Sequence, residues 1–274
     1  MMPESSLSPT EQSGQWDRLE SMTSGEIVAA MAECDSQAQR AVASIGQDIA
    51  NAIDAASEKV KKGGRMFYIG AGTSGRMGVL DASEIPPTFG VSDVFVGLIA
   101  GGDGAIRQAV EGAEDDFSGG VLDLKRHGAQ GNDVVVGIAA SGRTPYVTGA
   151  LEWAKDQGML TLGITSNAEG PVALIPDMAL VPKTGAEFVT GSTRLKAGTA
   201  QKLILNQLST GVMIQCGHVQ GNRMVDMQLA NAKLVERGAR MVADALNVSM
   251  DRARQLLTDS GSVRKAIDTF ATRD

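Results

Sequence analysis

The chain has little of what redox, metal and nucleic-acid chemistry need. Only 2 of its 274 residues are cysteines, Cys34 and Cys216, and no CxxC pair occurs, so no disulfide framework is expected and a reducing compartment fits. Both read as buried, inert thiols. The 2 histidines, His127 and His218, share no ligand spacing with cysteines or acids, so no metal is expected and no Ser-His-Asp arrangement can be assembled. Aromatics make up 4%, and no Lys/Arg-rich run occurs. With a net charge of −7, neither nucleic acid nor an anionic membrane surface is an expected partner. No stretch approaches a membrane span, and the polar start MMPESSLSPTEQSGQ lacks a signal segment, so a cytoplasmic location is expected. Glycine, in contrast, is abundant at 33 residues, which suits an α/β protein with close helix–sheet contacts and backbone-lined loops.

Hydrophobic patterning then sets the organisation. Residues 1–22 read as an irregular arm. From Ser24 to Lys62 the pattern is helical, with Val42, Ile45, Ile49, Ile53, Ala56 and Val60 recurring every three or four positions. Beyond it, β-prone runs at 65–69, 94–99, 133–139 and 160–165, and a weaker one at 178–181, alternate with helix-compatible segments at 75–83, 104–116 and 144–157. Crossovers of that length predict a doubly wound, parallel, five-stranded sheet of flavodoxin-like type, with functional loops at the carboxyl ends of its strands. A long helix is expected over about 195–216, and short helical pieces follow at 243–246, 251–257 and 263–270. The expected division is an arm to 22, a main domain over 23–239 with flanking helices, and a small helical appendage over 240–274.

The chemistry-bearing residues fall at those loops. The first strand empties into Gly70-Ala71-Gly72-Thr73-Ser74-Gly75, an anion cradle in which glycines admit the ligand and hydroxyls and first-turn N–H groups donate to it. Formally this is GxGxxG, a weak signal by itself. A dinucleotide site would need an acid about 20 residues further on, whereas the first one after the second strand, Asp103, lies about 30 residues beyond the loop. A second loop, Ser141-Gly142-Arg143-Thr144-Pro145, repeats the Ser-Gly-Arg tripeptide at the end of another strand, and Thr144 before Pro145 also reads as a plain helix cap. Two hydroxyl-bearing loops side by side suit one phosphate and the polyol attached to it. A third cluster, Glu187 to Thr199, carries Ser192, Arg194 and Lys196 at the start of the long helix, where cations oppose the helix dipole unless an anion is present. Two carboxylates are candidates for proton transfer, although each alone reads as a surface acid. Glu114 borders a predicted helical stripe of Ala105, Ile106, Ala109, Val110 and Ala113. Glu84 precedes Pro86-Pro87, and an unbroken helix would carry it roughly 15 Å from Ser74. Either the chain turns back at 82–87, or Glu84 serves a cradle on another subunit.

The segments YIGAGTSGRMGVLDASEIPPTFG, GLIAGGDGAIRQAVEGAEDD, VVVGIAASGRTPYVTGALEWA and TGSTRLKAGTAQKLILNQLSTGVMI resemble, in order, the N-acetylmuramic acid 6-phosphate etherases of the sugar isomerase (SIS) fold group. The resemblance covers residues 20 to 240. It implies a lyase without metal or organic cofactor that splits the D-lactyl ether of N-acetylmuramic acid 6-phosphate in cell-wall sugar recycling. Glu84 would protonate the departing lactate and Glu114 would take the proton at C2. Gly72, Thr73, Ser74, Ser141, Gly142 and Thr144 would hold the phosphosugar, with Ser192, Arg194 and Lys196 as further candidates. A homodimer with sites near its interface is also implied. Departures from the family are Ala32-Glu33-Cys34-Asp35 in place of an Asn-Glu-Asp-like stretch, and a shorter C-terminal helical region. A sugar-phosphate-sensing regulator and an aldose–ketose phosphosugar isomerase share the fold and remain the alternatives.

Overall fold

A computed structural model describes residues 8–271. Part of the expected arm, residues 1–7, lies outside them, and the rest of it forms only single turns at Pro9–Glu11 and Leu19–Ser21. The first helix starts at Ser24, as expected. Thr23 is the cap: its hydroxyl accepts from the Glu26 N–H while Glu26 Oε2 accepts from the Thr23 N–H at 2.8 Å, a reciprocal capping box. The helical stretch to Lys62 is two helices, α1 (Ser24–Ala43) and α2 (Gly46–Lys61), parted at Ser44-Ile45, where Ile45 leaves helical geometry.

The predicted alternation follows: β1 (Met66–Gly70), α3 (Gly72–Ser83), α4 (Ile85–Phe89), β2 (Phe95–Ile99), α5 (Gly104–Arg107), α6 (Gly119–Arg126), β3 (Val134–Ile138), α7 (Pro145–Asp156), β4 (Leu160–Ile164), α8 (Pro171–Leu174), β5 (Met178–Leu180) and α9 (Lys196–Gln215). All strand pairs are parallel, in the order β2-β1-β3-β4-β5. Alternate residues of β1 enter opposite cores. Met66 and Tyr68 pack with α2 and α9, and Phe67 and Ile69 pack with α6 and α7. With both faces covered, β1 and β3 are buried throughout, which is why they read as continuous apolar runs.

One predicted helix is cut short. The chain over 104–116 is helical only at α5; Gln108 is extended, and Gly112 takes a positive φ of 72° that no helix tolerates. The expected stripe dissolves accordingly: Ala105 is buried, but Ile106, Ala109 and Val110 are exposed. Glu114 sits instead in the single turn Ala113–Asp115.

The tail forms α10 (Ala232–Leu246), α11 (Met250–Ser260) and α12 (Val263–Ala271) around their own apolar cluster, which also takes in Val225 and Met227. Residue 240, the boundary expected from sequence, thus falls inside α10. Asp226 fastens this cluster to the main body: the Arg264 guanidinium donates to both its oxygens at 2.6 and 2.8 Å, and to the Gly217 carbonyl at the end of α9. The carbonyl of Asp226 also crowds Gly90, the cap of α4, where an added Cβ would lie 2.0 Å from it.

Candidate active site

The order β2-β1-β3 makes the crevice between β1 and β3 the point where the winding reverses, the usual place for a ligand in such sheets. Both Ser/Thr loops open there, because Gly70 and Ile138, the last residues of the two strands, are register partners. The first loop depends on contact between strand and helix. An added Cβ on Gly75 would lie 2.7 Å from the Gly70 oxygen and 2.6 Å from Ile99 Cγ1, so only glycine lets α3 start this close to β1. Thr73 stands in the first turn of α3. Thr73 Cγ2 is 3.5 Å from where a Cβ on Gly198 would be, which puts the start of α9 beside the cradle. In the second loop Thr144 is the cap residue of α7 by position, yet its side chain makes no capping hydrogen bond. Ser141 Oγ accepts from the Arg143 N–H at 3.3 Å, and the Ser141 carbonyl accepts from Asn167 Nδ2 at 2.9 Å.

A cavity of about 310 Å³ adjoins the first loop, with Gly72 on one wall and Glu111, Gly112 and Glu114 on another. Arg76, which the shared tripeptide brings to notice, supports this wall: its guanidinium donates to the carbonyls of Ala105 and Ile106 at 2.7 and 2.9 Å. Glu84 is not in this cavity. Helix α3 runs unbroken to Ser83 with Glu84 as its cap, and the chain turns only there, into α4. Glu84 instead lines a cavity of about 220 Å³ between α3 and α9, with Asp81, Lys202 and Asn206. No turn before Ser83 brings it back toward its own cradle.

The third cluster is used differently from expectation. The anion at the start of α9 is Glu187 of the same chain, fully buried, whose two oxygens accept from the N–H groups of Lys196 and Ala197 at 2.8 and 2.9 Å. Lys196 is 4% exposed and its ammonium donates to Gln37 Oε1 of α1 at 2.9 Å. Arg194 is exposed and Ser192 half-buried. Burial pushes the thiols of Cys34 and Cys216 up, so neither is a ready nucleophile.

Two polar residues escaped sequence reasoning. Gln201 of α9 is 2% exposed; its Oε1 accepts from Ser74 Oγ at 3.0 Å, and its Nε2 has no partner. Asp81 of α3 is buried beside Glu84 and accepts from Asn206 Nδ2 at 2.7 Å; burial pushes its carboxyl up against that bond. The available signal was position: each sits on the apolar stripe of its helix, Gln201 between Ala197 and Leu205, Asp81 between Gly78 and Ala82.

Comparison with known proteins identifies the fold and the family. Residues 48–155 match the family described as the glucokinase regulatory protein N-terminal SIS domain. An N-acetylmuramic acid 6-phosphate etherase of Bacteroides thetaiotaomicron is 50% identical over 262 residues, 95% of each chain. One from Cronobacter sakazakii is 50% identical over 243 residues, 88% of this chain and 82% of the relative. Among solved structures, a phosphoheptose isomerase from Francisella tularensis has a TM-score of 0.53 at 22% identity, covering 70% of this chain and 98% of its own, a likeness of fold.

Proposed function

This chain belongs to the N-acetylmuramic acid 6-phosphate etherases, and on that premise we propose how its residues share the work of splitting N-acetylmuramic acid 6-phosphate into N-acetylglucosamine 6-phosphate and D-lactate. The phosphate and sugar hydroxyls lie across the two loops, on Gly72, Thr73 and Ser74 from β1 and on Ser141, Gly142 and Thr144 from β3. Ser192, Arg194 and Lys196 support the start of α9 beside them. In the open-chain form the aldehyde acidifies C2–H. Glu114 takes that proton, the C3–O bond breaks, and Glu84 delivers a proton to the lactyl oxygen as it leaves. Water then adds across the new double bond, its hydroxyl to C3 and a proton to C2. Every step moves a proton or adds water, so the scheme uses neither metal nor cofactor.

What carries this reading is a single arrangement: two hydroxyl-bearing loops on neighbouring strands, with Glu114 in the wall of the cavity adjoining the first. Glu84 faces another cavity of the same chain, so we propose that a homodimer completes each site and that Glu84 serves the cradle of the partner protomer. An apolar groove between α2 and α9, with Ile53, Leu203 and the 51% exposed Ile214, shares Asn206 with the Glu84 cavity and supports a second copy lying there. Catalysis in the cytoplasm would suit the two unpaired thiols. Incubation with N-acetylmuramic acid 6-phosphate should release D-lactate. Binding of the phosphosugar with no release would overturn the etherase reading in favour of a sensor.

A further inference from the structure

Gln201 is a buried amide whose two ends are treated unequally. Its Oε1 takes the Ser74 hydroxyl proton at 3.0 Å, while its Nε2, without accessible surface, has no hydrogen-bond partner. An unpaired N–H is the costlier of the two orphans a buried amide can leave, because a carbonyl-type oxygen is better tolerated unpaired. The arrangement also turns the Ser74 proton away from the cradle. A serine whose proton is spent on Gln201 offers an incoming phosphate only lone pairs, which repel it.

One rotation of the amide about its terminal torsion resolves both problems. It brings Nε2 to the place of Oε1, within hydrogen-bond distance of Ser74 Oγ, where it donates. Ser74 Oγ, now an acceptor from Gln201, is free to donate its own proton to a phosphate oxygen. The unpaired N–H is gone, and an unpaired oxygen replaces it. Without an anion the present orientation gives the Ser74 proton an acceptor; with one, the anion takes that part. We propose that Gln201 is a positioning residue for the phosphate end of the phosphosugar, and that its amide reverses on binding to turn Ser74 from a donor toward α9 into a donor toward the ligand.

The proposal rests on the phosphosugar reading of the cradle and deepens it. Gln201→Glu tests it, because a carboxylate accepts from Ser74 and cannot donate to it until protonated. Binding of N-acetylglucosamine 6-phosphate to the full-length protein is measured by calorimetry between pH 5.5 and 8, alongside thermal melting. The variant should bind roughly tenfold or more weakly than wild type at pH 8, and the gap should close to about threefold near pH 5.5, where a buried glutamate regains its proton. A loss that is the same at every pH, or no loss in a folded variant, would overturn the proposal. Should Gln201→Glu fail to fold, Gln201→Met combined with Ser74→Ala decides. Acting through Ser74, Gln201→Met should add no further loss to Ser74→Ala, whereas two independent, additive losses would refute the coupling. Wild-type binding without D-lactate release would count against the etherase reading and leave the role of Gln201 standing.

Discussion

At the scale of single residues, chemistry and position were legible to different degrees. Thr73, Ser74, Ser141 and Thr144 stood out because hydroxyls among glycines at strand ends have few structural uses. Gln201 and Glu187 did not, because their meaning lies in partners remote in sequence: Ser74 is 127 positions from Gln201, and no local pattern encodes that pairing. The two glutamates are open to direct test. Glu84→Gln should leave N-acetylglucosamine 6-phosphate binding within about twofold while lowering lactate release by at least roughly 100-fold, the usual cost of losing a general acid. Near-normal turnover would remove Glu84 from the mechanism. For Glu114→Gln, exchange of the C2 proton of the product with deuterated solvent should cease, as seen by NMR, and continued deuterium uptake would contradict its role as base.

At the scale of elements, the strands were read nearly to the residue, since a strand buried on both faces is a bare apolar run between breakers. The 104–116 segment shows the limit. Alanines and isoleucine at helical spacing outweighed Gly112, whereas in the structure the positive φ of that glycine and the extended Gln108 turn the stretch into the wall of a cavity. The neighbouring α6, which opens on Gly119-Gly120, was not among the expected helices. The tight start of α3 gives a prediction of its own. Gly75→Ala must displace both the Gly70 carbonyl and Ile99, at a cost of about 1–3 kcal/mol of stability. Denaturant unfolding should show that loss, and the Michaelis constant for the phosphosugar should rise as α3 moves off the cradle. An unchanged constant would argue that the first turn of α3 does not touch the ligand.

At the scale of the whole molecule, the fastening of the tail lies beyond any reading of local pattern. Burial alone would raise the carboxyl of Asp226, but hydrogen bonds from Arg264 and His218 outweigh it and hold the group below the usual carboxylate range. A depressed carboxylate stabilises the fold above its unfolded pKa, and that contribution is lost as the pH falls through the folded value. Asp226→Asn should therefore lower the melting temperature at pH 7, and the difference from wild type should shrink from about pH 4 downward. A gap unchanged at low pH would exclude this ion pair as its source. For the site, mixing Glu84→Gln with Glu114→Gln protein should restore roughly a quarter of wild-type turnover after subunit exchange, since half the dimers are then mixed and each has one intact site. No recovery after verified exchange would show both carboxylates acting from one chain.

The crowding of Gly90 against the Asp226 carbonyl reaches further than packing. Glu84 is followed at once by the five-residue α4, and α4 ends on that contact, so the hinge presenting the acid is propped from behind by a residue which Arg264 of the last helix grips. The cradle has no contact with that ion pair; it is built from the ends of β1 and β3, the start of α3 and Gln201 of α9. If Glu84 is the acid proposed above, the C-terminal helices buttress proton delivery and not capture of the sugar, and loosening them should slow each turnover while leaving the hold on the phosphate as it was.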